Sequence, residues 1–577
     1  MKIYIAVLIT FSFIHLTALA STEADEPLVF ETTVFETNVF ETNVFETKTF
    51  ETSTFDAPSL VVIVAVDQLR RDRLTLGFEG GSSEGKSFKG GLGRLADRGL
   101  VFSSAQLNHG MTNTCPGHAV MLTGVNPGRA GIPSNDYIQR DVWESRYCVH
   151  DDDPLSLVFG NTIQRSPRAL QVTTLGDWMK EADSETRVFA VGGKDRSTIT
   201  MAGHEADGVY WFDASQGGFT SSGYYLDQLP EYIRQFNGSS PLENGFIAGL
   251  PDQWDHPGGT YRRDDYPGED EEFKNSSGHP IKQGSLQDVG KHIYASPFVD
   301  KATFELAKIL VENEKLGQRT STDVLALALS ATDTVGHAYG PFSAESEDTL
   351  NRIDRELGDF LEFLDARIGE DNYVVVLTAD HGVAELPEWS IENDRLECPD
   401  DSGRADPIPF IASLYWYIYS QFTFPFGNPL ELVQFAGSEL SVNQNYAAAN
   451  GIDPDEVRLG LKNMLESKAV IKRVWTSKEV KEGVSREATL LRNSYVEGKS
   501  GDLMLQINPT CIIKETGTTH GSIYDYDRNI PLVFFGKGIQ AGVSDVEAYS
   551  VDIGPTLALY LGIKSPPDLD GKALKLD

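Results

Sequence analysis

The chain has 577 residues, a formal net charge of −36, 40% hydrophobic residues and four cysteines. That excess of carboxylates excludes a nucleic-acid duplex as a partner, because two polyanions repel and no counterion release is gained. Four cysteines are too few for a disulfide framework; one or two bridges remain open, and spacing does not decide the pairing of Cys115, Cys148, Cys398 and Cys511.

In chain order, residues 1–20 read as an export signal: Lys2, an apolar run from Ile3 to Ile14, then Ala18-Leu19-Ala20 before Ser21. Cleavage is expected after Ala20, giving a secreted or periplasmic protein. The apolar run is shorter than the roughly 20 residues that cross a bilayer, and no later stretch is apolar enough, so no transmembrane segment is expected after cleavage. Residues 21–57 carry a phenylalanine at every fifth position from Phe30 to Phe55, in units such as FETNV. A period of five fits neither helix nor strand, which predicts a low-complexity linker.

Residues 58–577 are expected to form the catalytic domain. Short β-branched runs at 60–66, 188–191, 324–328, 373–377 and 532–535 predict strands buried on both faces. Between them lie helical patterns, clearest in Ile353, Leu357, Phe360, Leu361, Leu364 and Ile368. The alternation predicts an α/β fold with a mostly parallel central sheet covered by helices on both faces. Two stretches, about 205–300 and about 383–510, lack the pattern and read as large insertions at the active-site rim. Trp211, with Tyr210 and Phe212, is expected to pack in the core.

Ligands of such sheets sit at the carboxyl ends of the strands. Asp67 ends the first buried run, Asp333 and His337 follow another, Asp380 and His381 a third, and His520 lies on a Gly- and Thr-rich loop before the last. Mixed Asp and His ligation suits zinc better than magnesium or calcium, while ligand type leaves manganese or iron open; two zinc ions are the expectation. In HGMTNTCPGHAVMLTG, Pro116 and the run after it place Thr114 at a helix N-terminus, where backbone N–H groups such as that of Cys115 favour an anion.

In this order, the pieces resemble the alkaline phosphatase superfamily, in particular its nucleotide pyrophosphatase/phosphodiesterase-like members with a threonine nucleophile. The resemblance implies one metal on Asp333, His337 and His520, and another on Asp67, Asp380, His381 and the Thr114 oxygen. It implies that Asn135 donates to a phosphoryl oxygen. In VGGKDRST, Lys194 and Arg196 resemble the Lys-x-Arg pair of the phosphate-irrepressible alkaline phosphatases, which act on small-molecule phosphate monoesters; a phosphodiesterase or nucleotide pyrophosphatase with the same core is the alternative. Two cations suit the terminal phosphoryl group of a monoester, whereas a diester puts an organic group there. The C/S-x-P-x-R motif of sulfatases is absent, because Pro116 directly follows Cys115. His118 reads as structural, and the sequence leaves the oligomeric state open.

Overall fold

The computed structural model describes residues 57–78, 88–257, 263–424 and 428–576. The expected export signal and all but the last residue of the expected 21–57 linker lie outside the described residues.

Nine strands build the main sheet: β1 (Leu60–Val66), β2 (Leu100–Gln106), β3 (Val188–Gly192), β4 (Gly208–Asp213), β5 (Gly218–Thr220), β6 (Asp323–Leu329), β7 (Tyr373–Thr378), β8 (Leu532–Gly536) and β9 (Gly542–Tyr549). Their spatial order is β9-β2-β8-β7-β1-β6-β3-β4-β5. The run β7-β1-β6-β3-β4 is parallel throughout, with Val61 facing Val324 on one side and Val374 on the other. β8 runs antiparallel to both β7 and β2.

All seven residues of β1 are fully buried, which explains a run with no polar alternation. Leu60, Val62, Val64 and Val66 face one apolar layer, with the helices Phe298–Asn313 and Ala344–Arg367. Val61, Ile63 and Ala65 face the other, with Thr114–Thr123, Leu175–Ala182 and Ile553–Tyr560. Each such aliphatic side chain contributes about 1.5–3 kcal/mol by leaving water, which holds the middle of the sheet from both faces. The expected two-faced, mostly parallel α/β architecture is the one observed.

The expected insertions hold more regular structure than their patterning indicates. β4 pairs in parallel with β3, so the main sheet runs on past residue 205, and Tyr210, Trp211 and Phe212 are buried in it. Farther along, a separate four-stranded antiparallel sheet runs in the order Val433–Ala436, Glu439–Val442, Leu503–Ile507, Ile471–Thr476. It packs with the helices Pro407–Gln421 and Pro454–Glu466 around Leu414, Ile418, Leu440, Leu461, Val474 and Leu503. Two of its strands have only four residues, too few for a two-residue period to stand out.

All four cysteines pair, Cys115 with Cys148 and Cys398 with Cys511. The second bridge ties the two ends of the small-sheet region together.

Candidate metal centre and active site

β1, β6, β7 and β3 deliver their carboxyl ends to one edge because they are neighbours and parallel. Asp67 leaves β1 with its N–H donating to the Leu329 carbonyl at the end of β6 (2.9 Å). Gln68 then turns the chain through a left-handed conformation, φ +67°. Its backbone N–H donates to Asp380 Oδ1 (3.0 Å) and its Nε2 to Asp333 Oδ1 (2.7 Å), so one side chain and its amide tie three strand ends together. Gln68 was not singled out from the sequence; its only signal is adjacency to Asp67. Because β8 runs against its neighbour, the chain enters it from the same edge, which brings His520 in.

Three imidazoles are oriented alike. His381 Nδ1 bonds the Gly382 carbonyl (2.9 Å), His337 Nδ1 that of Thr518 (2.9 Å) and His520 Nδ1 that of Thr112 (2.7 Å). A carbonyl accepts only, so Nδ1 carries the proton and Nε2 presents its lone pair. His337 Nε2 stands 3.2 Å and His520 Nε2 3.7 Å from Asp333 Oδ1; His381 Nε2 stands 3.3 Å from Asp380 Oδ2 and 3.6 Å from Asp67 Oδ1. The His381 and His520 rings stack with centroids 3.7 Å apart. Burial lowers the pKa of both, His520 also through the neighbouring His381 and His337, so both stay neutral and able to ligate.

The carboxylates are crowded. Burial raises the Asp67 pKa well above the usual range, with Asp333 and Asp380 adding to it. Burial acts the same way on Asp333 and Asp380, but their neighbours outweigh it and hold both low, the Lys194 ammonium and the His337 imidazole at Asp333, the His381 and His118 imidazoles at Asp380. Asp67 Oδ1, Asp380 Oδ2 and His381 Nε2 are buried without a hydrogen-bond partner. Lone pairs that face one another with no proton between them are the donor set a divalent cation satisfies. The geometry offers Asp333, His337 and His520 as one group, and Asp67, Asp333 and His381 as another, each with ligand atoms within 4.8 Å of one another. Asp67 and Asp380 also form such a group with His118, whose Nδ1 lies 2.9 Å from the Thr114 carbonyl and 3.1 Å from Asp380 Oδ2. These residues fit a metal centre.

Thr114 opens the helix Thr114–Thr123, with Asn113 as its cap residue, and is almost wholly buried. Gly117 lets that helix reach the centre: a Cβ there would lie 2.3 Å from the Asp380 carbonyl oxygen, a backbone atom that cannot yield. The Cys115 N–H donates to Asn135 Oδ1 (2.8 Å). In this arrangement it orients Asn135 rather than pointing at an open anion position, and the Asn135 Nδ2 group is the half of that amide left to donate.

Lys194 is buried, and its ammonium bonds both Asp67 Oδ2 (2.6 Å) and Asp333 Oδ2 (2.5 Å). Burial lowers its pKa, but these two carboxylates outweigh it and keep the ammonium charged. The residue expected beside the phosphoryl group thus bridges two candidate ligands. Arg196 reaches Thr114, Nη2 lying 3.4 Å from Thr114 Oγ1. Its Nη1 donates to the Tyr147 hydroxyl (3.2 Å), which donates to Asp195 Oδ1 (2.6 Å). Asp195 Oδ2 accepts from Arg165 Nε (2.6 Å). Tyr147, Asp195 and Arg165 escaped the sequence reading; the one hint was that Tyr147 precedes Cys148, whose bridge to Cys115 clamps the antiparallel pair Asp136–Gln139 and Glu144–Tyr147 beside Thr114.

Residues 61–522 match the type I phosphodiesterase/nucleotide pyrophosphatase family. A protein of Myroides odoratus named calcium-transporting ATPase is 32% identical, over 89% of this chain and 93% of its own. Alkaline phosphatase PhoK of a Sphingomonas species is 31% identical, over 90% and 91%. The crystal structure of wild-type alkaline phosphatase PafA superposes with a TM-score of 0.78 at 27% identity, covering 90% of this chain and 98% of that one. The family match over most of the chain agrees with the centre at the sheet's carboxyl edge, and the chain belongs to the type I phosphodiesterase/nucleotide pyrophosphatase family of the alkaline phosphatase superfamily, as a phosphoric ester hydrolase that uses divalent metal.

Proposed function

We propose that the protein is an exported, zinc-dependent alkaline phosphatase that hydrolyses small phosphate monoesters through a phosphothreonine at Thr114. The observation that carries this reading is Arg196, whose Nη2 stands 3.4 Å from Thr114 Oγ1, with Lys194 holding a fixed positive charge between Asp67 and Asp333. The names of PhoK and PafA support it. The Myroides relative's name speaks of transport, but among the described residues no helix is long and apolar enough to cross a membrane.

Two zinc ions, one on Asp333, His337 and His520 and one on Asp67, Asp380 and His381, would supply Lewis acidity that acidifies the Thr114 hydroxyl and neutralises the leaving oxygen. Thr114 Oγ1 attacks phosphorus in line with the leaving alcohol; the O–P bond to Thr114 forms as the ester bond breaks. Arg196, fixed by Tyr147, pairs with a non-bridging oxygen, and the Asn135 amide donates to another. Lys194 supplies fixed positive charge between the two ligand groups. Water then cleaves the phosphothreonine, releasing phosphate and restoring the hydroxyl.

Two disulfides support an oxidising destination, in keeping with an export signal at 1–20, a linker at 21–57 and a catalytic domain at 58–577. The test is a comparison of initial rates of the zinc-loaded protein on an aryl phosphate monoester and the matching diester. A large monoester preference is expected. A diester preference would assign the chain to the second reading, a phosphodiesterase, which the family description favours.

A further inference from the structure

Outside this centre, a second group of buried ligating side chains faces itself. His256 follows the short strand Gln253–Trp254, His279 begins its antiparallel partner His279–Pro280, and Glu345 lies in the first turn of the helix Ala344–Arg367. All three are buried, Glu345 completely. His256 Nε2 is 3.4 Å from His279 Nε2, and these two atoms are 3.4 and 3.5 Å from Glu345 Oε1.

A hydrogen-bonded triad does not account for this triangle. His279 Nδ1 bonds the Phe273 carbonyl (3.1 Å), which places the proton on Nδ1 and turns the Nε2 lone pair into the triangle. The Tyr339 hydroxyl, which donates to the Lys274 carbonyl (2.9 Å), flanks the same Nδ1 from outside. One proton on His256 Nε2 can serve one edge of the triangle, not three. Neither oxygen of Glu345 has a partner of hydrogen-bonding geometry, and the same holds for both oxygens of buried Glu269 and for Asp264 Oδ1, 3.7 Å from His256 Nε2. So much unpaired acceptor capacity in a dry site is costly unless a cation takes it up.

The dimensions name the cation. Zinc bonds of about 2.0–2.1 Å at tetrahedral angles place neighbouring ligand atoms about 3.4 Å apart. We propose that His256, His279 and Glu345 form a third, structural zinc site, separate from the catalytic centre, with Asp264 completing the tetrahedron. Two imidazoles disfavour calcium and magnesium. The site ties the hairpin to the helix Ala344–Arg367. Through Tyr339, which packs on His279 with ring centroids 5.3 Å apart, it also braces the far end of the helix Ala331–Tyr339 that carries Asp333 and His337. With three buried protein ligands and partly exposed Asp264 in the fourth position, no open position is left for substrate, which marks a structural rather than a catalytic site.

The deciding experiment is a zinc-edge anomalous difference map from crystals of the mature protein equilibrated with zinc. A peak inside the triangle, about 2.0–2.2 Å from both Nε2 atoms and a Glu345 oxygen, is expected. Density without a peak there, alongside occupied catalytic ligands, overturns the proposal. In parallel, bound zinc in the His279→Ala/Glu345→Gln variant should fall by about one equivalent per chain, with a lower melting temperature. Unchanged zinc content would also overturn it. Neither readout depends on which ester the enzyme prefers, so the monoesterase reading can fail without affecting this one. If the variant does not fold, the wild-type map decides.

Discussion

The carboxyl edge of the main sheet and the small antiparallel sheet near residues 433–507 are held by different means. At the edge, β1 and its neighbours bury every side chain on both faces, and the candidate ligands Asp67, Asp333, Asp380 and His381 sit one to four residues past the strand ends. The small sheet has its own apolar centre around Leu414, Leu440 and Leu461, with a disulfide between Cys398 and Cys511 closing its base. Chemistry needs ligand atoms fixed within fractions of an ångström, which a two-faced parallel core provides. The small sheet is held by its own apolar centre and bridge.

Mutations can break that contrast. The largest effect is expected from Thr114→Ala, which should lower monoester turnover at least about 10⁴-fold with near-normal bound metal, since the other ligands remain; single-turnover kinetics and metal analysis check both. Wild-type turnover would remove Thr114 as nucleophile. Next, replacing both Cys398 and Cys511 by serine frees a loop spanning a sequence separation of 113. The unfolded chain then gains entropy worth about 4–5 kcal/mol, so the small-sheet region should become the first site of proteolysis while catalytic metal is retained.

Leu440→Ala should cost about 3 kcal/mol by the cavity it leaves, again without metal loss, whereas Val64→Ala in the fully buried β1 should lower both stability and metal retention. Denaturant melts with metal analysis compare the two, and equal metal loss would mean that the regions are not independent. Removing Lys194 and Arg196 together should slow monoester hydrolysis by about 100-fold, near 3 kcal/mol, and diester hydrolysis much less.

The smallest effect concerns acid stability. His109 is fully buried, and burial, with Arg528 and His381, lowers its pKa from 6.5 to about 3. Below 6.5 the unfolded chain takes up a proton that the folded one refuses, so stability is lost as pH falls from 6.5 towards about 3. His109→Leu should flatten that limb by roughly 2 kcal/mol at about pH 5, read from melts across pH.

Much of the site was legible because its ligands directly follow buried apolar runs. Strand ends in a parallel sheet must share an edge, so Asp67, Asp333 and Asp380-His381 could be grouped from local pattern. The helix at Thr114 was legible for the same reason, through Pro116 and the apolar run after it. Gln68, Tyr147 and Asp195 were not, because a residue that orients another is defined by its partner, and those partners lie far off in sequence. The bridge from Cys115 to Cys148 was hidden likewise, four cysteines allowing three pairings.

The sequence by itself determined the α/β class, the buried strands and the carboxylates and imidazoles at their ends, since burial on two faces and residue chemistry are local properties. Only the tertiary structure decided that Lys194 sits between Asp67 and Asp333, that Arg196 meets Thr114, that short strands near residue 440 form a second sheet, and that His256, His279 and Glu345 converge. Each depends on contacts between segments tens to hundreds of residues apart, which chain folding establishes and local pattern does not encode.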